Sequence, residues 1–226
     1  MHKIQSVVTN DVETGGLNPT KNPMCSIALS SFSLADGKQI SKYSTFIKPY
    51  ANLTYEDAAM KYNGITYAQL NAGKDIKTVV KDLCEEFEKA NTARTHTKKP
   101  VLMGHNDGFD LGFILFAFDY CKVDISKYLH CNMNHKGEMV PFVYDTMWLS
   151  RMTWGADEAM SKYNLTACCE KAGVSLTDAH DAANDVAASE ALFIYFMNRL
   201  RTGGGEIGGD HIEGVKKTRL RDYFQI

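Results

Sequence analysis

The sequence predicts an α/β or α+β domain built on one mixed central sheet. Extended segments dominate the first 50 residues, helical spacing dominates the rest, and apolar strand-like runs interrupt the helices. With 226 residues, 44% of them hydrophobic, the chain can bury one large core.

Residues 7–11 form the first expected strand. Residues 25–34 (CSIALSSFSL) alternate in part and stop at Asp36-Gly37, a turn signal; residues 40–49 follow and end at Pro49. Together these three read as a meander. Residues 54–65 read as a short helix, with Thr54 as N-cap, Asp57 three residues on, and Asn63-Gly64 as its end. In residues 75–91, Ile76, Val79, Val80, Leu83, Cys84 and Phe87 recur at helical spacing. A polar loop (92–100) precedes a buried strand (101–106) and an apolar helix (109–121). Residues 142–152 read as a strand running into a helix, and residues 162–173 as a helix closed by Gly173. Residues 181–201 form the longest expected helix. Five glycines within 202–210 then separate a domain of residues 1–202 from a basic tail of residues 203–226.

A formal charge of -2 demands no nucleic-acid partner, but local patches bind phosphate whatever the total. The six cysteines include no C-x-x-C pair, and Cys168 and Cys169 are adjacent, so they read as reduced thiols of a cytoplasmic protein. The N-terminus is too polar for a signal peptide, and no apolar run approaches the roughly 20 residues of a membrane span.

The chemistry concentrates in carboxylates. Asp11 and Glu13 stand two apart, so a strand sends both to one face. A solvated strand end looks the same, but Thr14-Gly15-Gly16 follows, and glycine lets a backbone approach a ligand closely. Asp110 stands near the start of an apolar helix; the macrodipole alone explains an acid there, and a cap or turn explains Asn106. His180 and Asp185 would lie about 140° apart on one helix, so they share a site only if His180 precedes the helix, with Asp178 or Asp181 as its cap. Each feature has a bland explanation by itself. Taken together, four carboxylates gathered in one cleft need cations, and hard oxygen ligands suit Mg²⁺ or Mn²⁺. Two such ions about 4 Å apart are the clamp used for phosphodiester cleavage, and a neutral histidine is a natural base for water.

These residues resemble the DEDDh exonuclease superfamily, which includes proofreading exonucleases, RNase T and oligoribonuclease. Asp11-Val12-Glu13-Thr14-Gly15-Gly16-Leu17 is similar to its D-x-E-T-x-G-[LF] motif, and residues 105–110 (HNDGFD) to H-N-x-x-F-D. Residues 180–185 (HDAAND) resemble H-x-A-x-x-D; YNGIT (62–66) and YDTMWLSR (144–151) resemble further family segments. The likeness spans roughly residues 5–200. It implies an RNase H-like fold with a five-stranded sheet and a 3′–5′ exonuclease that releases nucleoside 5′-monophosphates. It also implies two divalent cations, Mg²⁺ or Mn²⁺. Asp11, Glu13 and Asp185 would hold the first; Asp11 would bridge to the second, supported by Asp110. His180 would be the general base. Thr14 and Gly15 would meet the terminal 3′-OH, Leu17 would wedge against the last bases, and His105, Asn106 and Phe109 would line the strand's path. Asn10, where the family is usually apolar, and the extra acid Asp181 depart from the pattern. Asp181 would raise the histidine's pKa and shift activity to higher pH.

The motifs do not separate DNA from RNA. ETGGLNPTKNP and the layout resemble stand-alone DNA exonucleases, so single-stranded DNA is the expected substrate. YNGI and FMNRLRTGG resemble RNase T, so an exoribonuclease of RNase T or oligoribonuclease type is the alternative, and a non-catalytic binding module a further one. Arg94, Lys98, Lys99, Lys216, Lys217, Arg219 and Arg221 either track phosphates or solvate a loop and a tail. The family includes homodimers and polymerase subunits. RLRDYFQI matches a clamp-binding peptide poorly, and a tail folded back on its own domain is the expectation.

Overall fold

β1 (Ser6–Thr14), β2 (Met24–Ser33) and β3 (Gln39–Phe46) form the expected antiparallel meander. β4 (Val101–Gly104) joins β1 in parallel and β7 (Val143–Asp145) joins β4 in parallel, giving the order β3-β2-β1-β4-β7. The mixed five-stranded sheet is thus the one the sequence implies. The structure is a computed structural model and describes residues 6–91, 99–176 and 181–202. Arg94, Lys98, Asp178, His180 and the tail of residues 203–226 lie outside the described residues.

Helices cover both faces of β1, so its two side-chain sets have different fates. Val8 and Val12 pack with α3 (Ile76–Ala90) and α4 (Gly108–Tyr120) in the main core, beside Leu83, Phe87, Phe113 and Phe118. On the other face Val7 packs with Phe32, Met103 and Phe193 of α7 (Ala182–Thr202). Small residues let α7 lie close to the sheet: Ala28 meets Ala182 and Val186. α5 (Thr146–Trp154) and α6 (Leu165–Ala172) pack against α7 through Trp154, Cys168, Leu192 and Phe196.

The parallel register brings the C-terminal ends of β1, β4 and β7 together, where ligands bind in open α/β sheets. β1 ends in Asp11 and Glu13, β4 leads into residues 105–110, and β7 ends at Asp145.

Three details differ from the expectation. Thr54 does not cap α1 (Asp57–Asn63): its N–H donates to the Lys21 carbonyl and its own carbonyl accepts from Asn22, so it is pinned to the preceding loop. Glu56 is the N-cap instead, and its N–H donates to the Gly15 carbonyl. A second short helix, α2 (Tyr67–Ala72), begins at a Thr66/Gln69 capping box; it has only six residues, too few for a periodic signal. The hairpin of β5 (Cys131–Met133) and β6 (Met139–Pro141) has three-residue strands, too short to show alternation. Gly64 and Gly173 end their helices in left-handed conformation at φ 67° and 70°, as expected. The six cysteines are free thiols. No helix among the described residues is long and apolar enough to cross a membrane.

Candidate active site

The period of β1 settles which carboxylates meet. Asp11 and Glu13 share the face that Val7 turns toward α7, and Asp185 stands in the first turn of α7. One oxygen from each of Asp11, Glu13 and Asp185 lies within 4.8 Å of the others. Asp181 holds the start of this helix: one carboxylate oxygen accepts from the N–H groups of Ala183 and Asn184 at 3.0 and 3.1 Å. It is therefore the cap, one of the two candidates the sequence offered. The helix begins at Ala182, so His180 precedes it, the condition for His180 and Asp185 to share a site.

Asp110 arrives from the other side of β1. It is buried in the first turn of α4, and its Oδ1 accepts from the Val12 N–H at 3.0 Å. All four carboxylates line one cleft of about 460 Å³. Burial pushes Glu13 up to about 8, with Asp11, Asp185 and Asp181 adding to the effect. Burial, then Asp110 and Asp185, hold Asp11 well above the usual carboxylate range. Asp110 is raised by burial and Asp107, against the pull of the Val12 N–H. Neither Asp11 nor Glu13 forms an ion pair with a lysine or arginine among the described residues. An all-oxygen donor set of this kind fits hard divalent cations, which would displace the retained protons.

The other expected site residues divide into two groups. Asn106 and Phe109 line the cleft. Asn106 adopts φ 65°, a left-handed turn that asparagine tolerates, and its N–H donates to Asp145 Oδ1. Leu17 projects into solvent, 80% exposed, on the loop after the carboxylates. His105 also lines the cleft, but both its ring nitrogens are engaged. Nε2 stands 2.8 Å from the Tyr163 carbonyl and Nδ1 2.9 Å from the Thr146 hydroxyl. Because a carbonyl only accepts, Nε2 carries a proton, and burial lowers the pKa of the ring. His105 is thereby a tie between β4, α5 and the start of α6.

Thr14 spends its hydroxyl on the Gly16 carbonyl at 2.7 Å, inside a bulge between Glu13 and Thr14. The clearance at the two glycines is filled from within the chain. A Cβ at Gly15 would meet Pro23 at 2.9 Å, and one at Gly16 would meet the Asn22 side chain at 2.3 Å. The absence of their side chains thus accommodates this packing.

The structure adds residues that were not among the expected site residues, although Tyr62, Met147 and Arg151 belong to the further family segments. Tyr62, Met147, Arg151 and Tyr163 line the cleft. Asn10 and Asp107 are partners: Asn10 is 1% exposed and its Nδ2 donates to Asp107 Oδ1 at 2.7 Å. The polar departure before the first aspartate thus has its match on the far face of β1. The available signal was a second polar residue, Asp107, just before the apolar helix.

Residues 8–193 match the RNase T exonuclease family. The chain is 27% identical over 205 residues to Ribonuclease T of Shewanella frigidimarina, covering 88% of this chain and 85% of that protein. It is 25% identical over 209 residues to Ribonuclease T of Vibrio campbellii, covering 88% of each. Its fold is similar to the zinc-bound E. coli Exonuclease I complex with single-stranded DNA, at a TM-score of 0.70 and 18% identity. That likeness covers 89% of this chain but 42% of the larger enzyme. With the fold, the cleft and the family match in agreement, the chain belongs to the DEDDh exonuclease superfamily and is a hydrolytic 3′–5′ exonuclease.

Proposed function

We propose that the cleft removes nucleoside 5′-monophosphates one at a time from the free 3′ end of a single-stranded nucleic acid. The convergence of the Asp11, Glu13 and Asp185 oxygens within 4.8 Å carries this reading. Those three would hold one divalent cation, with Asp11 bridging to a second that Asp110 supports. Once bound, Mg²⁺ or Mn²⁺ would supply Lewis acidity at the scissile phosphate and charge stabilisation at the leaving oxygen. His180 would accept the proton of the attacking water, and Asp181, by capping α7, would position the turn that follows it. The backbone at Thr14 and Gly15 would meet the 3′-terminal sugar, and Leu17 would wedge against the last bases. Asn106 and Phe109 would steer the strand past His105, whose two hydrogen bonds hold that wall in place.

DNA is the substrate the motif layout favours. RNA is the second reading, favoured because the relatives that match over 85% and 88% of their length are ribonucleases. The test uses 5′-labelled DNA and RNA of one sequence with Mg²⁺, with EDTA, and with Asp11→Ala. A ladder shrinking from the 3′ end, lost in EDTA and in the variant, is expected, and the faster substrate decides between DNA and RNA. Wild-type cleavage that persists in EDTA would overturn the cation site.

A further inference from the structure

Arg151 is the single lysine or arginine among the residues lining the carboxylate cleft. It forms no ion pair among the described residues, although acidic side chains surround the site. Its guanidinium is held by two rings instead, 5.6 Å from the centroid of Trp148 and 5.8 Å from that of Tyr163. Tyr163 is a fixed platform. Its hydroxyl donates to the Trp154 carbonyl at 3.1 Å, and its own carbonyl receives the His105 ring. Trp148 is open to solvent, 62% exposed, and Met152, one helical turn on, is 81% exposed. Helix stability does not require this arrangement. A basic residue in a last turn complements the dipole anywhere on the helix surface, whereas this one sits at the cleft between two aromatic rings.

We propose that Arg151 and Trp148 form a binding shelf for the substrate strand just upstream of the scissile phosphate. The proposal rests on the exonuclease reading of the cleft. Arg151 donates to a backbone phosphate, and the open face of Trp148 stacks on the adjacent base. A planar guanidinium stacked on aromatics has its donor edge oriented before substrate arrives, so less is lost on binding. It also supplies the positive charge that four carboxylates otherwise deny to an incoming polyanion. An open aromatic face suits an unstacked single strand, whatever its sequence.

Steady-state kinetics on a 12-nucleotide single strand with Mg²⁺ test the shelf. Arg151→Gln should raise KM about tenfold with kcat within about twofold, the loss of one charge-assisted contact. The slope of log KM against log salt should fall by about 0.7, the value for one phosphate contact on a single strand. Arg151→Lys should restore the salt slope and only part of KM, because lysine lacks the stacked fork. Trp148→Ala should raise KM about fivefold and Trp148→Phe should bring it back, as loss and return of a stacking face require. The chain has two tryptophans and Trp154 is buried, so quenching of intrinsic fluorescence by the strand should vanish in Trp148→Phe. An unchanged KM and salt slope in Arg151→Gln would overturn the shelf while leaving the cation site intact. So would a drop in kcat and melting temperature without a KM effect, which marks a purely structural role. Wild-type protein without cation-dependent 3′ cleavage would instead overturn the reading on which the shelf rests.

Discussion

Glu13, a proposed cation ligand, works against the fold that carries it. Its carboxyl is pushed up to about 8 by burial and by the neighbouring acids. The folded protein therefore holds a proton there that the unfolded chain, near the ordinary value of 4.5, releases. Folding takes up a proton between about pH 4.5 and 8, so without cations stability falls as pH rises through that window. Glu13→Gln removes the repulsion. In EDTA at pH 8 it should melt a few degrees above wild type, a shift of roughly 1 kcal/mol. The same variant should lose at least about 100-fold in kcat, as expected when a group that stabilises the transition state is removed. Calorimetry and single-turnover assays check the two halves, and a variant that melts lower in EDTA would contradict the first.

Between elements, the Asn10 and Asp107 pair joins β1 to the start of α4, which carries Asp110. Burial pushes the Asp107 carboxyl up to about 7, while the Asn10 amide draws it down. Gly104 makes room for it: a Cβ there would stand 2.1 Å from Asp107 Oδ1. Asn10→Leu removes the donor and leaves Asp107 buried without it, which should cost about 1–3 kcal/mol in urea unfolding at pH 8. Asp107 gains a proton on folding between about pH 3.8 and 7, so stability falls with rising pH across that range. The cost of Asn10→Leu should therefore shrink at pH 5, where the carboxyl is protonated. Asp107→Asn should flatten this part of the pH dependence. A cost that does not change with pH would show that packing, not the carboxylate, sets it.

For the whole molecule, the proposed cation site couples binding to folding, because its ligands would come from β1, α4 and α7, which only the folded chain brings together. Mg²⁺ or Mn²⁺ at 100 times its Kd should stabilise the protein by about 2.7 kcal/mol. At one fixed cation concentration the gain should be larger at pH 8 than at pH 6, since binding must displace the protons that Asp11 and Glu13 retain. Thermal melts at both pH values, with Asp11→Asn as the control that shows no gain, check this. Equal gains at the two pH values would mean that the cations bind elsewhere.

From the sequence alone came the meander and the longer helices, and, through the resemblance, the expectation that Asp11, Glu13, Asp110, His180 and Asp185 form one chemical set. Local rules suffice for that much. Alternation and turn signals act over a few residues, and the three motifs occur in family order. The tertiary structure alone decided which carboxylates meet, because Asp185 is more than 170 residues from Glu13 and reaches it only when α7 lies on the sheet. It decided that both nitrogens of His105 are committed to neighbouring elements and that Gly15 and Gly16 accommodate Pro23 and Asn22. It also decided that Asn10 answers Asp107 and that Arg151 lies between Trp148 and Tyr163. Apart from the glycine contacts, which close the loop after β1, each of these is a contact across β1 or between α5 and its neighbours, and a contact between elements leaves no period in a single sequence.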